Sequence, residues 1–141
     1  MLMRANPPLE MPPMHLLPVV ILLSLLAAPA AAQEWRMAPE YDVQLSTYDI
    51  RPVEIRLKAG EPVRLRFVNN SNQGLRFSAG DFFRSAQLRR RDSALVKGGD
   101  VEVPPLSTRT VVLVPRAGRY RAAGANLLHR LLGMNGRIIV E

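Results

Sequence analysis

The sequence predicts an all-β, Greek-key sandwich of about seven short strands, and two observations carry the prediction. From about residue 40 onward, apolar and polar residues alternate with period two, the signature of strands with one buried and one wet face. Clusters of Gly, Pro, Asn and Ser punctuate that alternation at fairly even spacing, as the turns of a sandwich do.

Taken in order, Tyr41, Val43 and Leu45, extending to Thr47, alternate with Asp42, Gln44 and Ser46. Val53, Ile55 and Leu57 alternate with Glu54, Arg56 and Lys58. The segment KAGEP (58–62) is a turn, because Gly60 accepts positive φ and Pro62 has no N–H to give a ladder. Val63, Leu65 and Phe67 follow with Arg64 and Arg66 between them, so the runs on either side of KAGEP read as neighbouring strands of one sheet. NNSNQG (69–74) is a polar turn, and LRFSA after it a short strand. DFFRSAQL forms a helical turn, and RRRDSALVKGGD reads as an exposed loop. VEV (101–103), TRTVVLV (108–114), a run from Tyr120 and the closing GRIIVE supply the remaining strands, with PPLS and PRAG as connections. ANLLHRLL is the exception: Leu127, Leu128, Leu131 and Leu132 have helical spacing.

The N-terminal residues stand apart from this fold. Arg4 precedes the apolar run LLPVVILLSLLAA (16–28), and Ala30, Ala31 and Ala32 follow it. Those are the three regions of a secretory signal peptide, with cleavage expected after Ala32. The apolar run falls short of the ~20 residues that span a bilayer, so a membrane anchor is the weaker reading. The expected organisation is residues 1–32 as signal peptide, 33–40 as an N-terminal lead and 41–141 as one domain. With no second apolar stretch of spanning length, the processed chain is expected to be secreted or periplasmic and to lack a transmembrane segment.

Removing residues 1–32 takes away one Arg and one Glu, and the net charge stays at +7. A basic surface favours acidic partners or anionic head groups; an exported chain rarely meets nucleic acid, which is therefore not an expected partner. The sequence contains no Cys, so no disulfide staples the fold and its apolar core alone must hold it.

Catalytic chemistry finds little support. Beyond the signal segment, His129 is the one candidate base. No G-x-S-x-G elbow, phosphate loop, EF-hand loop or H-E-x-x-H motif occurs. The acids are scattered, with Asp81, Asp92 and Asp100 placed where turn formation is their usual role. An enzyme is not expected.

The sharpest feature is the interval near the C-terminus. Tyr120 is followed after four residues by Gly124, after five more by His129, and after five more by Met134, just before RIIV. Together with IRLKAGEPVRLRFVNNSNQGLRF, VEVPPLSTRTVVLVPRAGRY, the double Phe of DFFRSA and LGMNG (132–136), this arrangement resembles the cupredoxin family across residues 41–141. It looks most like bacterial periplasmic cupredoxin-like proteins. The resemblance implies a cupredoxin-like sandwich in which ANLLHRLL belongs to the ligand loop, its four leucines capping one end. Phe82 and Phe83 cap that end or line a pocket, with core packing expected for at least one.

Type 1 copper in that family is held by two His and a Cys thiolate, often with a long axial Met. Carried over by position, His129 matches the C-terminal His and Met134 the axial Met. The Cys position falls on Gly124 and the other His position on Leu75, and neither residue coordinates through its side chain. With one His and no Cys after residue 32, no shift of alignment assembles a His₂Cys set.

Three functional readings follow. In the first, the chain is a non-enzymatic accessory or binding protein without copper as a cofactor. The resemblance links it to periplasmic iron or copper handling and to a periplasmic protein partner. In the second, the chain is a weak carrier of Cu(I) or another metal on His129 and Met134, completed by a partner's ligand; the packed alternative has Met134 as core filler and His129 at the surface or bonded to a backbone carbonyl. In the third, the basic run Arg89, Arg90 and Arg91, with Arg84 nearby, docks an acidic partner, an anion or a membrane surface.

Overall fold

The computed structural model describes residues 34–124, 131 and 135–141. Eleven strands are described: β1 (Glu40–Leu45), β2 (Ile50–Arg51), β3 (Glu54–Leu57), β4 (Val63–Asn69), β5 (Leu75–Ser78), β6 (Gln87–Leu88), β7 (Val96–Lys97), β8 (Asp100–Val103), β9 (Thr108–Val114), β10 (Gly118–Gly124) and β11 (Asn135–Val140). A helix, α1 (Gly80–Ser85), lies between β5 and β6, and a 3₁₀ turn (Arg90–Leu95) between β6 and β7. The strands that the sequence pattern did not pick out are β2, β6 and β7, each two residues long and too short to carry an alternation.

Two sheets face each other, in orders β2-β1-β4-β9-β6 and β3-β11-β10-β5-β8-β7. The inward residues of both meet in one core, among them Val43, Leu45, Ile55, Leu57, Val63, Leu65, Phe77, Val111 and Ile138. Several outward positions carry charge, among them Asp42, Arg56, Arg64, Arg66, Glu102, Arg121 and Arg137. Four aromatic contacts cross this core in sequence. Phe67 on the first sheet touches Phe77 on the second at 4.7 Å between ring centroids, Phe77 meets Phe83, Phe83 meets Phe82, and Phe82 meets Tyr120. The double Phe therefore drives α1 into the core, both rings buried. No helix among the described residues is long and apolar enough to cross a membrane.

The expectation that the runs flanking KAGEP are neighbours in one sheet is corrected. β3 pairs in parallel with β11, whereas β4 pairs with β1 in parallel and with β9 antiparallel, in the other sheet. KAGEP is a sandwich corner: Gly60 takes φ 76°, the Ala59 N–H donates to Glu141 O at 2.8 Å and the Gly60 N–H to Pro115 O at 3.0 Å. Alternation tells which residues face inward, and a corner and a hairpin share that signature. Val53 also departs from its expected inward place: it precedes β3, is 54% exposed, and its carbonyl accepts the Arg137 N–H at 2.8 Å.

RRRDSALVKGGD is likewise more ordered than an exposed loop. Its 3₁₀ turn is followed by the β7–β8 hairpin, in which Gly99 has φ 87°. A Cβ on Gly99 would stand 2.4 Å from Gly80 Cα, so only glycine lets this turn pack on the start of α1.

Asn69 closes the NNSNQG turn from within. It is buried, and its Nδ2 reaches the carbonyls of Gln73, Val103 and Pro104 at 2.7, 3.0 and 3.0 Å. Its Oδ1 accepts from the Ser71 N–H at 2.9 Å. One side chain thus ties the end of β4 to the β8–β9 connection, beside the start of β5.

Candidate functional site

Leu75 opens β5 and Gly124 ends β10, and these strands are antiparallel neighbours with Gly124 opposite Phe77. Leu75 lies two residues before Phe77 and so shares its face, which makes Leu75 and Gly124 diagonal neighbours on adjacent strands. Leu75 is only 1% exposed, its isobutyl group in the core opposite Val103 in the register. The fold therefore brings together the two positions at which the cupredoxin resemblance puts a His and a Cys.

The donor chemistry there does not fit type 1 copper. Leucine presents hydrocarbon and glycine no side chain, while the sequence has no thiolate to offer. Among the described residues no group of three or more His, Cys, Asp and Glu converges. His129 and Met134 lie outside the described residues. Of the four leucines expected to cap this end, Leu131 is described, and it is 74% exposed.

The basic run does not act as one patch. Arg89 is drawn inward: its Nε and Nη2 donate to Asp92 Oδ2 at 2.8 and 2.7 Å, with the two side chains 17% and 8% exposed. The same carboxylate oxygen accepts the buried Val112 N–H at 2.9 Å, and the Arg89 N–H donates to Val112 O at 2.9 Å. Arg89 and Asp92 therefore clamp the 3₁₀ turn onto β9, and Asp92 does more than form a turn. Arg90 and Arg91 are exposed, while Arg84, at the end of α1, pairs with Asp81.

Charge is arranged differently on the outer faces of the two sheets. Between β1 and β4 the register sets Glu40 opposite Arg64 and Asp42 opposite Arg66. Arg66 grips Asp42 with two bonds, 2.7 and 2.6 Å, and this hydrogen bonding is the main cause holding the Asp42 carboxyl below its ordinary range, against a smaller opposing effect of desolvation. Between β10 and β11 the register sets Arg121 opposite Arg137. Beside them a cleft of about 650 Å³ opens, lined by Arg84, Arg121, Arg137, Asp81, Ser78 and Asn135 among others. Sequence reasoning missed this place. Alternation alone puts Arg121 and Arg137 on wet faces, but their juxtaposition depends on the β10–β11 register.

No family model and no curated protein matches the sequence. Solved structures do. Auracyanin B is similar with a TM-score of 0.53 and 18% identity, covering 74% of this chain and 89% of its own. A multi-copper oxidase from Pseudomonas Thermotolerans is similar with a TM-score of 0.56 and 16% identity over 72% of this chain, a match spanning 29% of that larger chain. At such identities the likeness speaks to architecture alone, and the architecture is that of the cupredoxins: a two-sheet sandwich with short helical turns.

Proposed function

We propose that this chain is an exported, non-enzymatic accessory or binding protein that keeps the cupredoxin scaffold without its type 1 copper. One observation carries the reading: Leu75 and Gly124 are diagonal neighbours on β5 and β10, where a ligand pair is expected, in a sequence with no cysteine. On this reading the frame of a copper site remains while two of its three strong donors, one His and the Cys, are replaced. Outer-sphere electron transfer through type 1 copper is thereby removed from the chain's own repertoire, which leaves binding. Two further elements rest on the cupredoxin resemblance: work alongside a periplasmic iron- or copper-handling system, and a protein partner there. Export rests on the signal-like residues 1–32.

Copper titration tests this. The purified chain is loaded separately with Cu(I) and Cu(II), and bound metal and visible absorption are measured, with His129→Ala and Met134→Ala as companions. The expected outcome is substoichiometric copper with no thiolate-to-copper band. Stoichiometric Cu(I) that disappears in both variants would overturn the copper-free reading in favour of a carrier built on His129 and Met134.

A further inference from the structure

The cleft beside β10 and β11 holds an arrangement that the fold itself does not need. Like charges directly opposite one another on neighbouring strands destabilise a sheet. On the other sheet the chain avoids this, facing acid with base between β1 and β4. Here it does the reverse with Arg121 and Arg137, both exposed. Arg137 is partly compensated, its Nε donating to Glu54 at 2.8 Å. Arg121 has no carboxylate partner among the described residues, and residues 125–134 contain no Asp or Glu.

A third guanidinium completes the set. Arg84 reaches over Gly80, where a Cβ would stand 3.2 Å from its Nη1, so the missing side chain leaves room for the guanidinium at the cleft wall. Its tether, Asp81, is exposed and three residues away on the same short helix. Ser78, Ala122 and Ala123 line the same cleft. A guanidinium is weakly hydrated and presents a planar fork that matches carboxylate and phosphate oxygens. The cleft, about 650 Å³, falls within the usual size of small-molecule sites and far exceeds a single chloride.

We propose that this cleft binds a small multivalent oxyanion, bearing phosphate or clustered carboxylates, which bridges Arg121 and Arg137 and is flanked by Arg84. The unfavourable Arg–Arg pairing is then relieved by the ligand. This site is distinct from the Arg89–Arg91 run, and it stands whether or not His129 and Met134 bind metal.

The test is calorimetry on the purified chain with three probes at matched ionic strength: citrate, inorganic phosphate and phosphatidylglycerol vesicles, with sodium chloride as the background salt. Variants are Arg121→Ser and a combined Arg90→Ser, Arg91→Ser control. The proposal expects saturable binding of citrate or phosphate, weakened at least about tenfold by Arg121→Ser, since a charge-assisted contact is lost, and unchanged in the control. It also expects Arg121→Ser to melt at the same or a higher temperature in chloride, because a like-charge pair has gone. Equal binding by Arg121→Ser, no saturable binding of either free anion, or binding to vesicles alone would overturn the cleft. A lower melting temperature for Arg121→Ser would show that Arg121 serves the fold, and would overturn it too.

Discussion

Replacing Asp92 by Ala is expected to destabilise the fold by about 3 kcal/mol, and the figure is built from what the carboxylate touches. Its Oδ2 accepts from the buried Val112 N–H, and leaving a buried donor unsatisfied costs about 1–3 kcal/mol. The same atom neutralises Arg89. Breaking a fully buried ion pair costs about 3–5 kcal/mol, but Arg89 remains 17% exposed and can rehydrate, so about 1–2 kcal/mol is the fitting share. Asp92→Asn keeps an acceptor for Val112 and loses only the charge, so it should cost less, about 1–2 kcal/mol. Arg89→Ala combined with Asp92→Ala should cost less than the sum of the single changes, because each single change already breaks the pair. Urea denaturation of wild type and the four variants, Arg89→Ala included, followed by circular dichroism, reads all of these. An Asp92→Ala protein within about 0.5 kcal/mol of wild type, the range of ordinary surface changes, or strict additivity of the pair, would refute the clamp.

Two further expectations follow from equally specific contacts. Asn69→Asp should destabilise more than Asn69→Ala, because it turns a donor facing three carbonyl oxygens into an acceptor; urea midpoints in the reverse order would contradict this. Asp42 has a lowered folded pKa, so its contribution to stability is present above the unfolded value and is lost as pH falls through the folded one. Arg66→Ala should therefore raise the Asp42 titration midpoint, as read by carboxyl NMR, and flatten the acid limb of the stability curve that this residue contributes; an unmoved midpoint would show that Arg66 is not the cause.

How much of this was legible in the sequence depends on whether a feature is local. The strand at Val63, Leu65 and Phe67 appears where alternation puts it, because burial of every second residue is written along it; TRTVVLV is also a strand, but Val111, Val112 and Leu113 are all buried there, so alternation does not describe it. Pairing is not written there. Ile55 and Leu57 lie across the core from the strand that follows KAGEP, and no period-two pattern distinguishes that corner from a hairpin. The same limit divided the arginines. Arg89, Arg90 and Arg91 are alike in sequence, and only the 3₁₀ turn that returns Asp92 to β9 makes the first of them structural. Arg121 and Arg137 are far apart along the chain and become a pair only through the β10–β11 register. The absence of a His₂Cys ligand set, in contrast, needed no geometry, since a count of cysteines decides it.

In the proposed function the scaffold frames a copper site from which two ligands are missing, at Leu75 and Gly124. Restoring them tests it most directly: Leu75→His with Gly124→Cys, loaded with Cu(II) and read by visible absorption and bound-metal analysis. The double variant should bind about one Cu(II) and gain a thiolate-to-copper absorption band, since His₂Cys is then complete with His129, while wild type and Leu75→His show none. A folded double variant that takes up no copper, or takes it up without that band, would show that Leu75 and Gly124 do not stand at ligand positions.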